Sequence, residues 1–326
     1  MTSELLAGIS VVVPVYNSQP TLTELVDRLN AVLMPLAEPY EIILVNDASQ
    51  DSSWEQICQL VERLPQVRGI NLSRNSGQHP AVLCGIRQAR YQVIVTLDDD
   101  LQNPPEEIPM MLAELRRGYD VVYGVPVQQT HGWWRDSLSA AIKWVMVQAM
   151  GTPHARSISA FRVFRTELRQ AFADYCGPTV NLDVLLAWGT TRFAAVTVRQ
   201  DSRRYGQSGY TLRKLVRHAV VMMTGFSTTP LRLATLTGFV TTGIGVILLA
   251  WVILRVLVEG VSVPGFATLA SSIAIFSGVQ LMALGIFGEY LAQIHARTLN
   301  KPAYTIRQLY QQQQDQPQAE ALRRVG

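Results

Sequence analysis

The chain has 326 residues, of which 48% are hydrophobic and 16% charged, with a net charge of +3. That length allows a sizeable core or two domains. The modest charge, and the lack of a basic patch interleaved with aromatics in the N-terminal part, argue against a nucleic-acid partner. Cys58, Cys84 and Cys176 are isolated and lack metal-ligand spacing, so they read as small buried apolar residues in a reducing compartment.

In chain order, residues 10–15 form a β-branched run that reads as a buried strand. Thr21, with Glu24 three residues on, reads as the capping box of a helix running to about Leu36. A second strand over 41–45 ends at Asn46-Asp47, followed by a helix over 52–64 and a third strand over 67–72. A helix over 79–89, a strand over 92–97, a helix over 106–117 and a strand over 120–125 continue the alternation. Strands alternating with helices of this length predict an α/β domain with a mostly parallel sheet and helices on both faces. Beyond Val125 the rhythm changes: 133–150 reads as an amphipathic helix, and 160–164 and 192–198 as further strands. Residues 210–224 combine Arg213, Lys214, Arg217 and His218 with an apolar face, which suits a membrane surface or, alternatively, an ordinary solvated helix. Residues 311–326 are polar and Gln-rich and are expected to be disordered.

Residues 233–254 and 266–287 hold no formal charge. At ~1.5 Å per residue each spans about 33 Å, roughly one hydrocarbon core. The alternative, a pair of buried core helices, would rarely run so long without a charge. Residues 1–8 carry Glu4 and do not read as a secretory leader, so the N-terminal domain is expected in the cytoplasm. Arg203, Arg204, Arg213, Lys214, Arg217 and Arg232 precede the first span, and His295, Arg297, Lys301 and Arg307 follow the second. The link over 256–265 carries Glu259 and no lysine or arginine, so both flanks should face the cytoplasm. The expected organisation is a catalytic domain over 1–205, a juxtamembrane region over 206–230, two transmembrane helices within 231–290 (about 232–256 and 266–288) and a cytoplasmic tail over 291–326. Gly238, Gly243 and Gly245 would permit close helix packing.

In a parallel α/β sheet, ligands collect beyond the carboxyl ends of the strands. Tyr16-Asn17, Asp47 and Asp98-Asp99-Asp100 all fall there. No Gly-x-Gly-x-x-Gly follows a strand and no Gly-x-x-x-x-Gly-Lys-Ser/Thr is present, which argues against a dinucleotide enzyme and a P-loop ATPase. Asp98 and Asp100 would repel each other unless a hard cation such as Mg²⁺ or Mn²⁺ sat between them, with coordination positions left for diphosphate oxygens. Gln102 would add a neutral oxygen. The plainer reading is an acidic turn capping the next helix. Asp47 would accept hydrogen bonds from a base or ribose, or else serve as a turn residue.

Val13-Pro14-Val15-Tyr16-Asn17, Val45-Asn46-Asp47-Ala48-Ser49-Gln50-Asp51 and Asp98-Asp99-Asp100-Leu101-Gln102-Asn103-Pro104-Pro105-Glu106 resemble the successive motifs of family 2 glycosyltransferases with a GT-A fold. The resemblance is closest to the polyprenyl-phosphate glycosyltransferases, including the dolichol-phosphate mannose synthases, the bactoprenol glucosyltransferases and the aminoarabinose transferases. Residues 74–79 and 203–210, the two spans and Gly288-Glu289-Tyr290 resemble that group too. The resemblance implies a GT-A catalytic domain with two C-terminal transmembrane helices. It assigns the nucleotide to Pro14, Tyr16, Asn17, Asp47 and Asp98, and the Mg²⁺ or Mn²⁺ to Asp98, Asp100 and Gln102. It assigns the lipid phosphate to Arg135, Arg162, Arg203 and Ser208. Asp98, Asp100 and Asp183 are the candidate catalytic carboxylates, with Asp183 orienting sugar or acceptor or else structural. Ser18, Ala160 and Gly209 depart from the family pattern, where relatives carry Glu, an acid and Lys. The last two departures bear on a catalytic acid beside Phe161 and on one phosphate contact.

The implied reaction is inverting transfer of a sugar, glucose being the modal expectation, from a UDP-sugar to undecaprenyl or polyprenyl phosphate. It would occur at the cytoplasmic face of a bacterial inner membrane, in a homo-oligomer. The alternatives are a GDP-mannose-dependent synthase, an aminoarabinose transferase, and an inactive scaffold or flippase partner. A processive polysaccharide synthase would need a Gln-x-x-Arg-Trp motif and more spans.

Overall fold

The structure, a computed structural model, describes residues 5–126, 158–177, 180–201, 228–259 and 265–312. The order of elements is β1 (Leu6–Val15), α1 (Gln19–Leu33), β2 (Tyr40–Asn46), α2 (Ser53–Arg63), β3 (Val67–Leu72), α3 (Gln78–Gln88), β4 (Tyr91–Thr96), α4 (Ile108–Arg116) and β5 (Val121–Pro126). Then follow β6 (Arg162–Arg165), a 3₁₀ segment (Thr166–Phe172), α5 (Leu182–Gly189), β7 (Phe193–Val198), α6 (Thr229–Glu259), α7 (Phe266–Thr298) and β8 (Ile306–Tyr310). The eight described strands form one sheet, ordered β7-β5-β6-β4-β1-β2-β3-β8. The pairs β1–β2, β1–β4, β2–β3 and β5–β7 are parallel; β6 runs antiparallel to β4 and β5, and β8 antiparallel to β3.

The central strands are apolar without interruption because both faces are covered. Successive side chains point to opposite faces. Val11, Val13, Val15, Ile42 and Leu44 pack in one core with Leu22, Leu25 and Leu29 of α1, Ile57 and Leu60 of α2, and Met111 of α4. Val12, Ile43, Val45 and Ile94 pack in a second core with Leu83, Cys84 and Ile86 of α3, Phe172, and Leu182 and Leu185 of α5. Each fully buried Val, Leu or Ile contributes about 1.5–3 kcal/mol. The α3 helix lies so close to the sheet that a Cβ on Gly85 would stand 2.3 Å from a Val12 methyl and 3.2 Å from a Val45 methyl.

Several expectations are corrected. The first helix starts at Gln19, ahead of Thr21, because Pro20 is pre-set for a first helical turn. The Thr21 hydroxyl donates to the Ser18 carbonyl and does not cap. Of the cysteines only Cys84 is buried; Cys58 is half-buried and Cys176 exposed. Within the tail expected over 291–326, α7 runs on to Thr298 and β8 completes the sheet edge. The helices expected over 133–150 and 210–224 lie outside the described residues.

α6 and α7 are long and apolar enough to cross a membrane, with mean hydropathy 2.1 over Thr229–Arg255 and 1.4 over Ile275–Thr298. None of their most apolar stretch is buried, so they are not core helices of the α/β domain. Thr235, Thr237 and Thr242 of α6 each donate the hydroxyl to the carbonyl four residues back, which satisfies these groups without water. Gly245 faces Phe276 of α7, whereas Gly238 and Gly243 face open space.

Replacing Gly85 with valine forces α3 off β1 and β2. The expected loss is about 1–3 kcal/mol, read as a lower thermal midpoint of the detergent-purified protein. An unchanged midpoint would show that the helix–sheet contact can yield.

Candidate active site

Because β1, β2 and β4 are parallel neighbours, their carboxyl ends deliver Tyr16-Asn17, Asp47 and Asp98-Asp99-Asp100 to one edge of the sheet. Together with Pro14, Val15, Ser18, Asn75, Gly77 and Gln78 they line a cleft of about 390 Å³. Each strand leaves the sheet through a left-handed residue: Asn17 at φ 53°, Ala48 at φ 54° and Leu101 at φ 61°. Such a conformation costs a bulky residue about 1–2 kcal/mol. Leu101 is fully buried, so core packing holds it there.

The cleft is built from short polar ties. Asp47, itself buried, accepts the Ser76 and Gly77 N–H groups on its two oxygens at 2.7 and 2.8 Å. Burial pushes the Asp47 carboxyl up, and those two amides oppose the shift. Gly77 sits at φ 97°, a conformation that other residues rarely adopt, and is the N-cap of α3. Asn17 accepts the Gln50 N–H at 2.7 Å, and its own N–H donates to the Ser49 hydroxyl at 3.0 Å. Asp51 takes the Ser53 N–H and hydroxyl on one oxygen and the Gln19 N–H on the other, which ties the starts of α1 and α2 together. The starts of α1 and α3 therefore both border the cleft, and their positive dipole ends favour an anion there.

The three consecutive aspartates do different things. Asp98 accepts the Gln78 side-chain amide. Asp99 accepts the Tyr16 N–H at 3.1 Å; burial pushes its carboxyl up to about 6, opposed by the hydrogen bonds from Ser18 and Tyr16. Asp100 accepts the Gln102 N–H at 3.1 Å, which shapes the turn. Gln102 is not among the cleft-lining residues; its carbonyl accepts the Asp201 N–H at 3.0 Å. Among the described residues no three His, Cys, Asp or Glu side chains converge on one point. The protein side would thus give a divalent cation two carboxylates, Asp98 and Asp100, and leave the remaining positions to diphosphate oxygens and water. That set suits a hard cation bound together with its substrate.

Asp183 and Arg162 lie apart from the cleft lining. Arg162 of β6 and Asp183 in the first turn of α5 form a buried ion pair at 2.6 Å, and the Tyr123 hydroxyl donates to the same Asp183 oxygen at 3.0 Å. Arg162, which the family resemblance assigns to the lipid phosphate, is thus held by Asp183, with its side chain 5% exposed. The Leu182 N–H of the same helix turn donates to His79 Nδ1 at 3.4 Å, next to Gln78. Arg135, Arg203 and Ser208 lie outside the described residues. The sequence placed Asp99 at this edge with its triplet, and Asn75 and Gln78 within the family-like segment 74–79, but assigned none of the three an individual role in the cleft. Asp99 was visible as the middle member of the triplet, but nothing in sequence marked which way it turned.

Residues 10–172 match the sequence signature of Glycosyl transferase family 2. The chain belongs to that family. This family 2 glycosyltransferase is also similar along nearly its whole length to undecaprenyl-phosphate 4-deoxy-4-formamido-L-arabinose transferases. The Serratia proteamaculans protein is 33% identical over 313 residues, 95% of this chain and 96% of the relative. The Yersinia enterocolitica protein is 34% identical over 310 residues, 94% of this chain and 95% of the relative. Among solved structures, glucosyl-3-phosphoglycerate synthase from Mycobacterium tuberculosis, crystallised with Mn²⁺, UDP and glucosyl-3-phosphoglycerate, overlays with a TM-score of 0.50. It is 16% identical and covers 67% of this chain and 78% of its own, which shows the shared GT-A fold alone.

Arg162→Met leaves Asp183 buried beside the Tyr123 hydroxyl, and the expected cost is about 3–5 kcal/mol. The double variant Arg162→Met/Asp183→Leu should recover most of it. A phosphate-binding arginine with no structural duty would instead cost transfer activity at an unchanged thermal midpoint.

Proposed function

We propose that this chain transfers a sugar from a UDP-sugar to undecaprenyl phosphate, and that the sugar is a 4-deoxy-4-formamido-L-arabinose type of pentose. What carries the reading is similarity over 94–96% of the chain, apolar helices included, to transferases named for that sugar and that acceptor. Those names favour the aminoarabinose alternative over glucose.

The cleft chemistry supports the reaction class. Tyr16, Asn17 and Asp47 stand on the nucleotide side, with Pro14 and Asp98 beside them. Asp98 and Asp100 would hold Mg²⁺ or Mn²⁺, which when bound offsets the charge of the departing diphosphate. The positive dipole ends of α1 and α3 add to the same edge. The acceptor, a phosphate monoester with a second pKa near ~6, is already anionic at neutral pH. It needs groups that neutralise and aim it more than a base that activates it. In-line attack on the anomeric carbon inverts its configuration. Asp183, held by Arg162 and Tyr123, serves this reading by positioning α5. Arg135, Arg203 and Ser208 are proposed for the lipid phosphate, where arginine grips oxygens in pairs. The basic residues on both flanks of the spans favour a cytoplasmic catalytic domain and cytoplasmic termini at the bacterial inner membrane. A homo-oligomer belongs to the same proposal.

The test supplies protein in lipid nanodiscs with undecaprenyl phosphate, Mg²⁺ or Mn²⁺ and one donor at a time. The donors are the UDP-linked formamido-pentose, UDP-glucose, UDP-N-acetylglucosamine and GDP-mannose. A lipid-linked product is expected from the first; product from UDP-glucose alone would reinstate glucose. Asp100→Asn, or chelation by EDTA, should lower the turnover to below about 1% of the untreated wild type. Full activity in EDTA would remove the cation from the account.

A further inference from the structure

One small cluster joins the catalytic domain to the chain leaving α7. Tyr304 lies against Arg87 of α3, with the guanidinium carbon 5.8 Å from the ring centroid and Nη1 3.4 Å from the hydroxyl. Nη2 of the same guanidinium donates to the carbonyls of Phe172, Ala173 and Tyr175 at 3.5, 3.0 and 2.7 Å. Arg87 thus clamps residues 172–175 to the segment that exits α7. Arg297, in the last turn of α7, acts electrostatically on the Tyr175 phenol, against the burial that raises it. The Tyr175 ring meets Trp188 of α5 edge-on, with centroids 5.7 Å apart and planes at 69°. Trp188 is 52% exposed although it carries the largest apolar side chain of α5.

Tryptophan and tyrosine collect at the water–lipid boundary, because the ring is apolar while its N–H or O–H stays hydrated. Cations at the cytoplasmic end of a spanning helix are drawn to anionic headgroups. Here the exposed indole meets Tyr175, on which Arg297 of the last turn of α7 acts, and the exposed Lys301 follows three residues after the helix. We propose that Trp188 and Tyr175 form an interfacial anchor that seats the catalytic domain on the lipid headgroups. The occupant is the bilayer itself, because the pair is continuous with the end of α7 through Arg87 and Tyr304. The α5 helix, about 12 Å long, carries Trp188 near one end and Asp183 near the other. Asp183 is bonded to Arg162, and the neighbouring Leu182 N–H to His79, beside the cleft residue Gln78. The depth of the anchor therefore fixes the height of the cleft above the headgroups.

The proposal rests on α6 and α7 crossing the bilayer, and the experiment separates the two claims. The full chain is placed in phosphatidylethanolamine–phosphatidylglycerol vesicles bearing a nitroxide either on the headgroup or deep in the acyl chain. Trp188→Phe and Trp251→Phe isolate each emission by difference, Trp251 lying on exposed α6. Headgroup nitroxide should quench the Trp188 component, whereas the Trp251 component, near the far end of its apolar stretch beside Arg255, should respond to both nitroxides. Quenching of Trp251 with Trp188 untouched would overturn the anchor and leave the membrane reading standing. If neither is quenched, both fall. In a second arm, Trp188→Glu should raise the KM for bilayer-borne undecaprenyl phosphate several-fold, with the KM for the UDP-sugar and turnover of a short-chain soluble acceptor unchanged. If Trp188→Glu instead changes the oligomeric mass in detergent, the face belongs to a second copy and the proposal fails.

Discussion

A sheet covered on both faces leaves polar chemistry only its ends, and the rest of this molecule follows from that constraint. Val11 to Val15 and Ile42 to Val45 supply alternate side chains to two separate cores. Carboxylates on those faces would need costly desolvation. The parallel order of β2, β1 and β4 then brings three strand exits to one edge, and the left-handed residues Asn17, Ala48 and Leu101 turn the chain there. The cleft is thus a product of topology: its residues, far apart in sequence, meet because their strands are parallel neighbours that exit at one edge of the sheet.

Charge is handled in two ways. Buried charges remote from the cleft are satisfied internally. Glu41 accepts from the Ser10 hydroxyl, the Arg68 guanidinium and the Arg90 N–H, near the start of β1 and away from the cleft edge. Asp183 is matched by Arg162 and Tyr123. In the cleft, Asp98 accepts the Gln78 amide and Asp99 the Tyr16 N–H, which orient the two carboxylates.

The apolar helices are structurally joined to the domain they follow. After α7 the chain passes Tyr304, whose ring lies against Arg87, and enters the sheet as β8 beside β3, with the Ser73 N–H donating to the Thr305 carbonyl. β3 leads directly into the Ser76-Gly77 loop that Asp47 holds. The segment that follows the two apolar helices thus borders the strand that shapes one wall of the cleft.

Much of this was legible in sequence. Apolar periodicity placed the strands and helices through residue 126 to within a few residues, because a sheet buried on both faces writes continuous apolar runs. The acidic triplet announced its place because it follows such a run. The two charge-free stretches announced membrane-length helices because charges in hydrocarbon are expensive. Tertiary structure alone decided the rest. The Thr21 capping box gave way to a helix start set by Pro20. β8 was hidden because an edge strand with mostly exposed side chains keeps a polar sequence. That Arg162 would turn inward to Asp183, twenty-one residues away, and that Asp47 would grip Ser76 and Gly77, follows from how β2, β3, β6 and α5 are laid side by side. Sequence records which groups must be buried or solvated; which buried group meets which partner depends on distances that exist only once the sheet has assembled.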